Sequence, residues 1–274
     1  MPSSRHTPCP RSQRGVTLTE LLVGVIMGLM VVAVAITALM TSRAVSGDVG
    51  DASRIQQQAS WIFRTIGQQV RQAGGMHLNM AADKPSGAAF DEDDAVKFER
   101  SAPSVFNPRT DAIAPNPPGA SDYQLSVGYL RHEEQLHSLG GAHGSIQRDC
   151  LGEAGSGLAV IRSSFRLQNH QLFCKGAGSE QPIAENVAEF QLRYLVQNGA
   201  AIRYAHADAV ADWGDVLGVE VCLVLFGTQG MDLPSGSAYT DCSGSSVQLA
   251  SLGANRRNKV HMAFRTVYQL RSRS

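Results

Sequence analysis

Glu20 is the only charged residue between Val16 and Ser42. Behind it the span from Leu21 to Ser42 carries no charge. A bilayer core needs about 20 apolar residues in helical form, and this span is long enough. A carboxylate at the mouth of a membrane helix is costly, and by default it marks function. Its partner should be positive, and a cut after Gly15 would create one, a new α-amine on Val16 within reach of Glu20 in a neighbouring chain. The remaining chemical candidates resolve to ordinary roles. His132-Glu133-Glu134-Gln135-Leu136-His137 invites a zinc-hydrolase reading, but that motif needs His at i and i+4 on one helical face, and here the second His is at i+5 after a strand-like stretch. Asp91-Glu92-Asp93-Asp94 lacks the alternating spacing and the turn Gly of a calcium loop, which leaves a solvated loop. His143, His170, His206 and His261 are scattered singly. There is no G-x-S-x-G, P-loop, G-x-G-x-x-G or C-x-x-C. The sequence therefore points to no enzyme, no cofactor and no metal.

Composition suits a globular domain with long connecting loops. Lys plus Arg and Asp plus Glu are 24 each in 274 residues, so the formal net charge is +0. No global basic field draws in nucleic acid. The Arg256-Arg257-Asn258-Lys259 cluster reads as a turn facing water, with DNA contact as its rival. Of the five cysteines, Cys9 lies ahead of the apolar run, which leaves Cys150, Cys174, Cys222 and Cys242.

The elements that must position these residues follow from periodicity. Residues 1–15 are polar and basic, so they stay cytoplasmic and the bulk of the chain lies on the other side. Gly24 and Gly28 form a weak GxxxG pair; they also lower helix propensity, so that the segment can loosen on leaving lipid. From Arg43 onward, Val45, Val49, Ala52, Ile55, Ala59, Ile62, Ile66, Val70 and Ala73 recur at three- and four-residue steps, an amphipathic stripe. Asp48, Asp51, Arg54, Arg64 and Arg71 are expected on the solvent side. No Pro interrupts Val16 to Ala73, and Gly74-Gly75 supplies the stop. The expectation is one helix of about 55 residues, roughly 85 Å long. The stripe is rich in Ala and lacks Leu, so it should pack on a sheet and not in a coiled coil.

Residues 76–119 show little periodicity and read as a loop region. After Gly119 the period becomes two, through Tyr123 to Tyr129, Ser163 to Leu167 and Phe190 to Val196. Asn198-Gly199 leads into Ala201 to Tyr204 and predicts a two-residue hairpin. Val219, Val221, Leu223 and Leu225 predict a central strand, and Val260 to Leu270 a last long one. The class is α+β, a long N-terminal helix packed on an antiparallel β-sheet domain.

Arg14-Gly15-Val16-Thr17-Leu18-Thr19-Glu20, with its apolar run, resembles the N-terminal signature of type IV prepilins. The resemblance implies that a prepilin peptidase cuts between Gly15 and Val16, that Val16 is N-methylated, and that Glu20, fifth in the mature chain, serves assembly. One departure is Val16 itself, since most pilins carry Phe there. An ordinary secretory signal would have a shorter apolar stretch, with its cut after that stretch and not before it. The second half is similar to the PilW-type minor pilins in four places: Gln181 to Val187 with the strand Phe190–Tyr194, the Asp149-Cys150 and Phe173-Cys174 pair, the Trp213 segment before Val216–Phe226, and Arg265-Thr266-Val267-Tyr268. The resemblance does not cover Met76 to Pro118.

This resemblance implies a leader at 1–15, a membrane or filament-core half-helix at 16–43, an amphipathic half at 44–75, the variable loop at 76–119 and a β-rich pilin domain at 120–274. It implies a minor pilin that helps initiate pilus assembly and sits near the tip. The partners would be prepilin peptidase, other minor and major pilins, the inner-membrane assembly platform and, before assembly, lipid. The location would be the inner membrane, single-pass with a periplasmic domain, then the extracellular pilus. A GspJ-like pseudopilin of type II secretion and a membrane-anchored adhesin or DNA-binding protein are the rival readings. An exported chain with four cysteines reads as disulfide-bonded. Four cysteines allow three connectivities. Cys150–Cys174 would close the segment holding the Asn169-His170 turn, and Cys222–Cys242 would tie the apolar strand to the Gly- and Ser-rich loop after it.

Overall fold

A computed structural model describes residues 15–75, 78–79, 97–98, 106–116, 122–132, 134–135, 143–155 and 160–270. Residues 1–14, where the leader is expected, Asp91 to Asp94, Glu133, His137 and the residues after Leu270 lie outside the described residues. The chain divides into two compact units, Met1–Gly50 and Asp51–Ser274.

Helix α1 runs Leu18–Gln72, 55 residues without a proline. Its start is capped by Thr17, whose Oγ1 accepts from the Glu20 amide at 3.3 Å. Arg71 sits in the last turn, where a cation complements the helix dipole. Gly74 then takes φ +70°, a left-handed conformation that ends helices at little cost to glycine. Its amide donates to the Gly128 carbonyl, and the Gly75 carbonyl accepts from Leu130, so the chain leaves the helix directly onto a strand.

In the first unit, Leu18–Met40 is long and apolar enough to cross a membrane, with mean hydropathy 2.7. Its large side chains are exposed, from Ile26 at 47% to Leu18 at 78%.

Among the described residues, the second unit holds the rest of α1, two larger antiparallel sheets and three two-stranded ones. Strands β1 (Ile113–Ala114), β2 (Leu125–Leu130), β3 (Val160–Gln168), β4 (Gln171–Lys175) and β5 (Glu180–Ala184) form a five-stranded sheet in sequential order. Strands β6 (Val187–Asn198), β7 (Ala201–Ala205), β8 (Val216–Phe226) and β9 (His261–Gln269) form a four-stranded sheet in the order β7-β6-β8-β9. Strand β8 is central, as its apolar run predicts, and all but one of its residues are buried. Ile55, Ala59, Ile62, Ile66, Val70 and Ala73 of α1 are buried in one core with Val127, Phe165, Phe190, Tyr194, Val219, Val221, Leu223 and Leu225. Each large aliphatic side chain buried this way contributes about 1.5–3 kcal/mol. The amphipathic stripe thus packs on sheet, but two positions depart from expectation. Val49 is 65% exposed, and Asp51, expected in solvent, is buried.

Two further details depart from expectation. Asn198 pairs with Ala201, so the hairpin loop is Gly199-Ala200, one residue later than the Asn-Gly dipeptide suggests. Gly199 has φ +61° and Ala200 does not have positive φ, which suits a turn that needs glycine at its first central position. Within the region expected as loop, Phe106, Ala112 and Ile113 are buried, and β1 pairs with β2. This segment covers the second face of β2, which is why all six β2 residues are buried. A Cβ on Gly128 would lie 2.6 Å from the Asp111 carbonyl oxygen, so the close approach depends on glycine there.

Candidate assembly site

Gly15, Val16 and Glu20 lie together at the start of α1, all exposed. Glu20 is the third helical residue. It completes a Thr-x-x-Glu pattern with the capping Thr17, and an acidic side chain in the first turn suits the positive end of the helix dipole. What the arrangement offers chemically is an exposed peptide bond, Gly15–Val16, and an exposed carboxylate with no partner among the described residues, about one turn into an apolar helix.

The second half of α1 is fixed to its domain by polar contacts that the stripe pattern does not predict. Asp51 Oδ1 accepts from the Thr228 amide at 3.1 Å and from Thr228 Oγ1 at 3.0 Å, and Oδ2 accepts from the Gln229 amide at 3.3 Å. A side chain at Gly227 would collide with this carboxylate. Tyr268 Oη donates to the Phe63 carbonyl of α1 at 2.6 Å, and its ring lies where a Cβ on Gly67 would be, 2.5 Å from Cε1. Burial pushes the Tyr268 phenol up to about 12, so it stays a donor. Near the helix end, Gln69 Oε1 accepts from Tyr129 Oη and Ser163 Oγ, both at 2.9 Å, while its Nε2 donates to the Arg148 carbonyl at 3.2 Å. Ser163 Oγ in turn accepts from the Cys150 amide at 3.0 Å. Burial also raises the Tyr129 phenol. The signal available in the sequence was register: Asp51 and Gln69 stand at helical spacing from Ile55, Ile62, Ile66 and Ala73, on the buried face.

Cys150 is joined to Cys174 and Cys222 to Cys242. Asp149, buried beside the first pair, accepts from the amides of Leu151, Glu153 and Ala177 and so holds the loop that carries Cys150. The second pair sits against the outer face of β8. There Arg265 donates to the Cys242 carbonyl at 2.9 Å, and Glu220 takes two bonds from Arg193 at 2.9 and 2.6 Å. On the five-stranded sheet, Arg166 donates twice to Glu180, at 2.6 and 2.7 Å, and holds its carboxyl below the usual range; Tyr123 also donates to it. No group of three or more His, Cys, Asp or Glu stands ready to hold a metal among the described residues.

An apolar helix of membrane-spanning length, whose second half is built into an antiparallel sheet domain, gives a pilin-like α+β architecture. Residues 156–272 match the family described as PilW, type IV pilus-assembly protein W. Over that stretch, which runs from β3 to β9 and covers 117 of the 274 residues, the chain is similar to this family. Among solved structures, a type IV-like pilin from Thermus thermophilus is similar, at 11% identity over 79% of this chain and 95% of that one, with a TM-score of 0.38. No curated protein matches the chain.

Proposed function

We propose that this chain is a minor pilin, a structural subunit that helps initiate a type IV pilus and sits near its tip. One observation carries the reading: a single helix joins an exposed apolar half, whose only charge is Glu20, to a half locked into the sheet domain. In this account a prepilin peptidase cuts between Gly15 and Val16, and the new Val16 amine is methylated. The domain faces the periplasm while the apolar half waits in the inner membrane. The assembly platform then moves that half from lipid into the filament, beside other minor and major pilins. The domain remains outside as one part of an open, heterologous array.

Glu20 supplies selectivity in that transfer. A carboxylate near the bilayer centre costs about 2.5–3.5 kcal/mol, and less near the interface, so it favours any arrangement that gives it a partner. The Val16 amine of an adjoining subunit keeps its charge after a single methylation. Pairing neutralises both groups and sets the axial register of the incoming helix. Glu20→Ala should leave membrane level and cleavage intact and reduce crosslinking to other pilins and piliation. Normal crosslinking and normal piliation in Glu20→Ala would remove the carboxylate from the account.

A further inference from the structure

The face of α1 turned away from the core of the second unit carries its own pattern. Arg54, Gln57, Trp61, Arg64, Gln68 and Arg71 recur at alternating three- and four-residue steps, so they share one helical stripe. All six are exposed, Trp61 at 46%. A shallow depression on this face is lined by Ser53, Gln56, Gln57, Ser60, Trp61 and Arg64. The stripe contains three guanidiniums and no carboxylate. Arg54 is held, donating to Thr228 Oγ1 at 3.1 Å and lying 3.9 Å from Asp51. Arg64 and Arg71 make no hydrogen bond or ion pair among the described residues.

We propose that this stripe docks a carboxylate-bearing helix face on a neighbouring pilin-type subunit, a step that rests on the pilin reading above. Charge complementarity selects the partner. Arg64 and Arg71 stand two turns apart, about 10 Å along the axis, a spacing that carboxylates two turns apart on a facing helix can meet. Arginine is suited to such pairs because its planar fork grips a carboxylate with two bonds. Trp61 lies between the outer arginines, a large exposed aromatic of the kind on which binding energy concentrates once a partner covers it. Duplex nucleic acid is disfavoured, because it presents a charge about every 1.7 Å of axis, whereas neutral amides separate the arginines here and the whole chain has net charge +0.

The test uses the full-length chain in cells, with a photo-crosslinking residue placed at Gln57 or Gln68 and, as a control, at exposed Ile202 of β7. The expected product at Gln57 and Gln68, absent at Ile202, joins the chain to another pilin-type subunit within a segment bearing Asp or Glu two turns apart. Arg64→Glu with Arg71→Glu should lower the yield about tenfold or more at unchanged protein level, and so should Trp61→Ala. Reversing the mapped carboxylates to Arg in the partner should restore it to the Glu variant. The inference is overturned if the product is lipid, nucleic acid, a second copy or this chain's own Asp91 to Asp94. It is equally overturned by a yield indifferent to charge reversal, or by no product while the chain fractionates with pili; in those cases the pilin reading stands. A chain found in no pilin complex would overturn both.

Discussion

Asp51 and Glu20 are carboxylates on the same helix in opposite surroundings, one buried and one exposed. Asp51 is buried and takes its bonds within its own chain, from Thr228 and Gln229. Removing it strands two backbone donors and a hydroxyl, so Asp51→Ala should lower stability by about 1–3 kcal/mol. Denaturant midpoints of the detergent-solubilised chain would show this, with an unchanged midpoint counting against the contact. Tyr268→Phe deletes one bond to the helix backbone and should cost about 0.5–1.5 kcal/mol. These residues also mark the limit of sequence reading. Asp51 keeps the spacing of the buried stripe, yet its charge assigns it to solvent until Thr228, far away in the chain, supplies donors. Glu20, by contrast, stands out in the sequence as the one charge in an apolar run, and the structure adds that it lies in the first helical turn.

At the scale of elements, α1 is legible because its periodicity, its lack of proline and its Gly74 stop agree. The strands β6, β8 and β9 are legible through alternation or apolar runs. Strand β1 is not, because Ile113 and Ala114 lie in a stretch with no repeating pattern and become core only when β2 is beside them. The packing of α1 should therefore tolerate little loss: Ile66→Ala, fully buried, should destabilise by about 2–5 kcal/mol in the same unfolding measurement. The five-stranded sheet adds a pH dependence. Because Arg166 holds the Glu180 carboxyl below its ordinary value of 4.5, the folded state binds that proton less readily than the unfolded chain. The pair's contribution is fully present above pH 4.5 and is lost as pH falls through the lowered value. Glu180→Gln should thus lower the midpoint at neutral pH, and its difference from the native chain should shrink in acid. A difference that stays constant with pH would contradict the ion pair's role.

For the whole molecule, polar contacts along α1 tie the second half of the helix to its domain, and two disulfides close loops within that domain. The Cys222–Cys242 link closes a loop of 20 residues, worth roughly 3 kcal/mol in the unfolded-chain account. Non-reducing peptide mapping should recover 150–174 and 222–242 links from exported protein, and a 150–222 link would contradict this pairing. The central claim, that the chain enters a pilus as a processed subunit, is tested most directly at its N-terminus. Pili sheared from cells should yield, by mass spectrometry, a form beginning at methylated Val16. A form in the same filaments that still begins at Met1 would contradict the account.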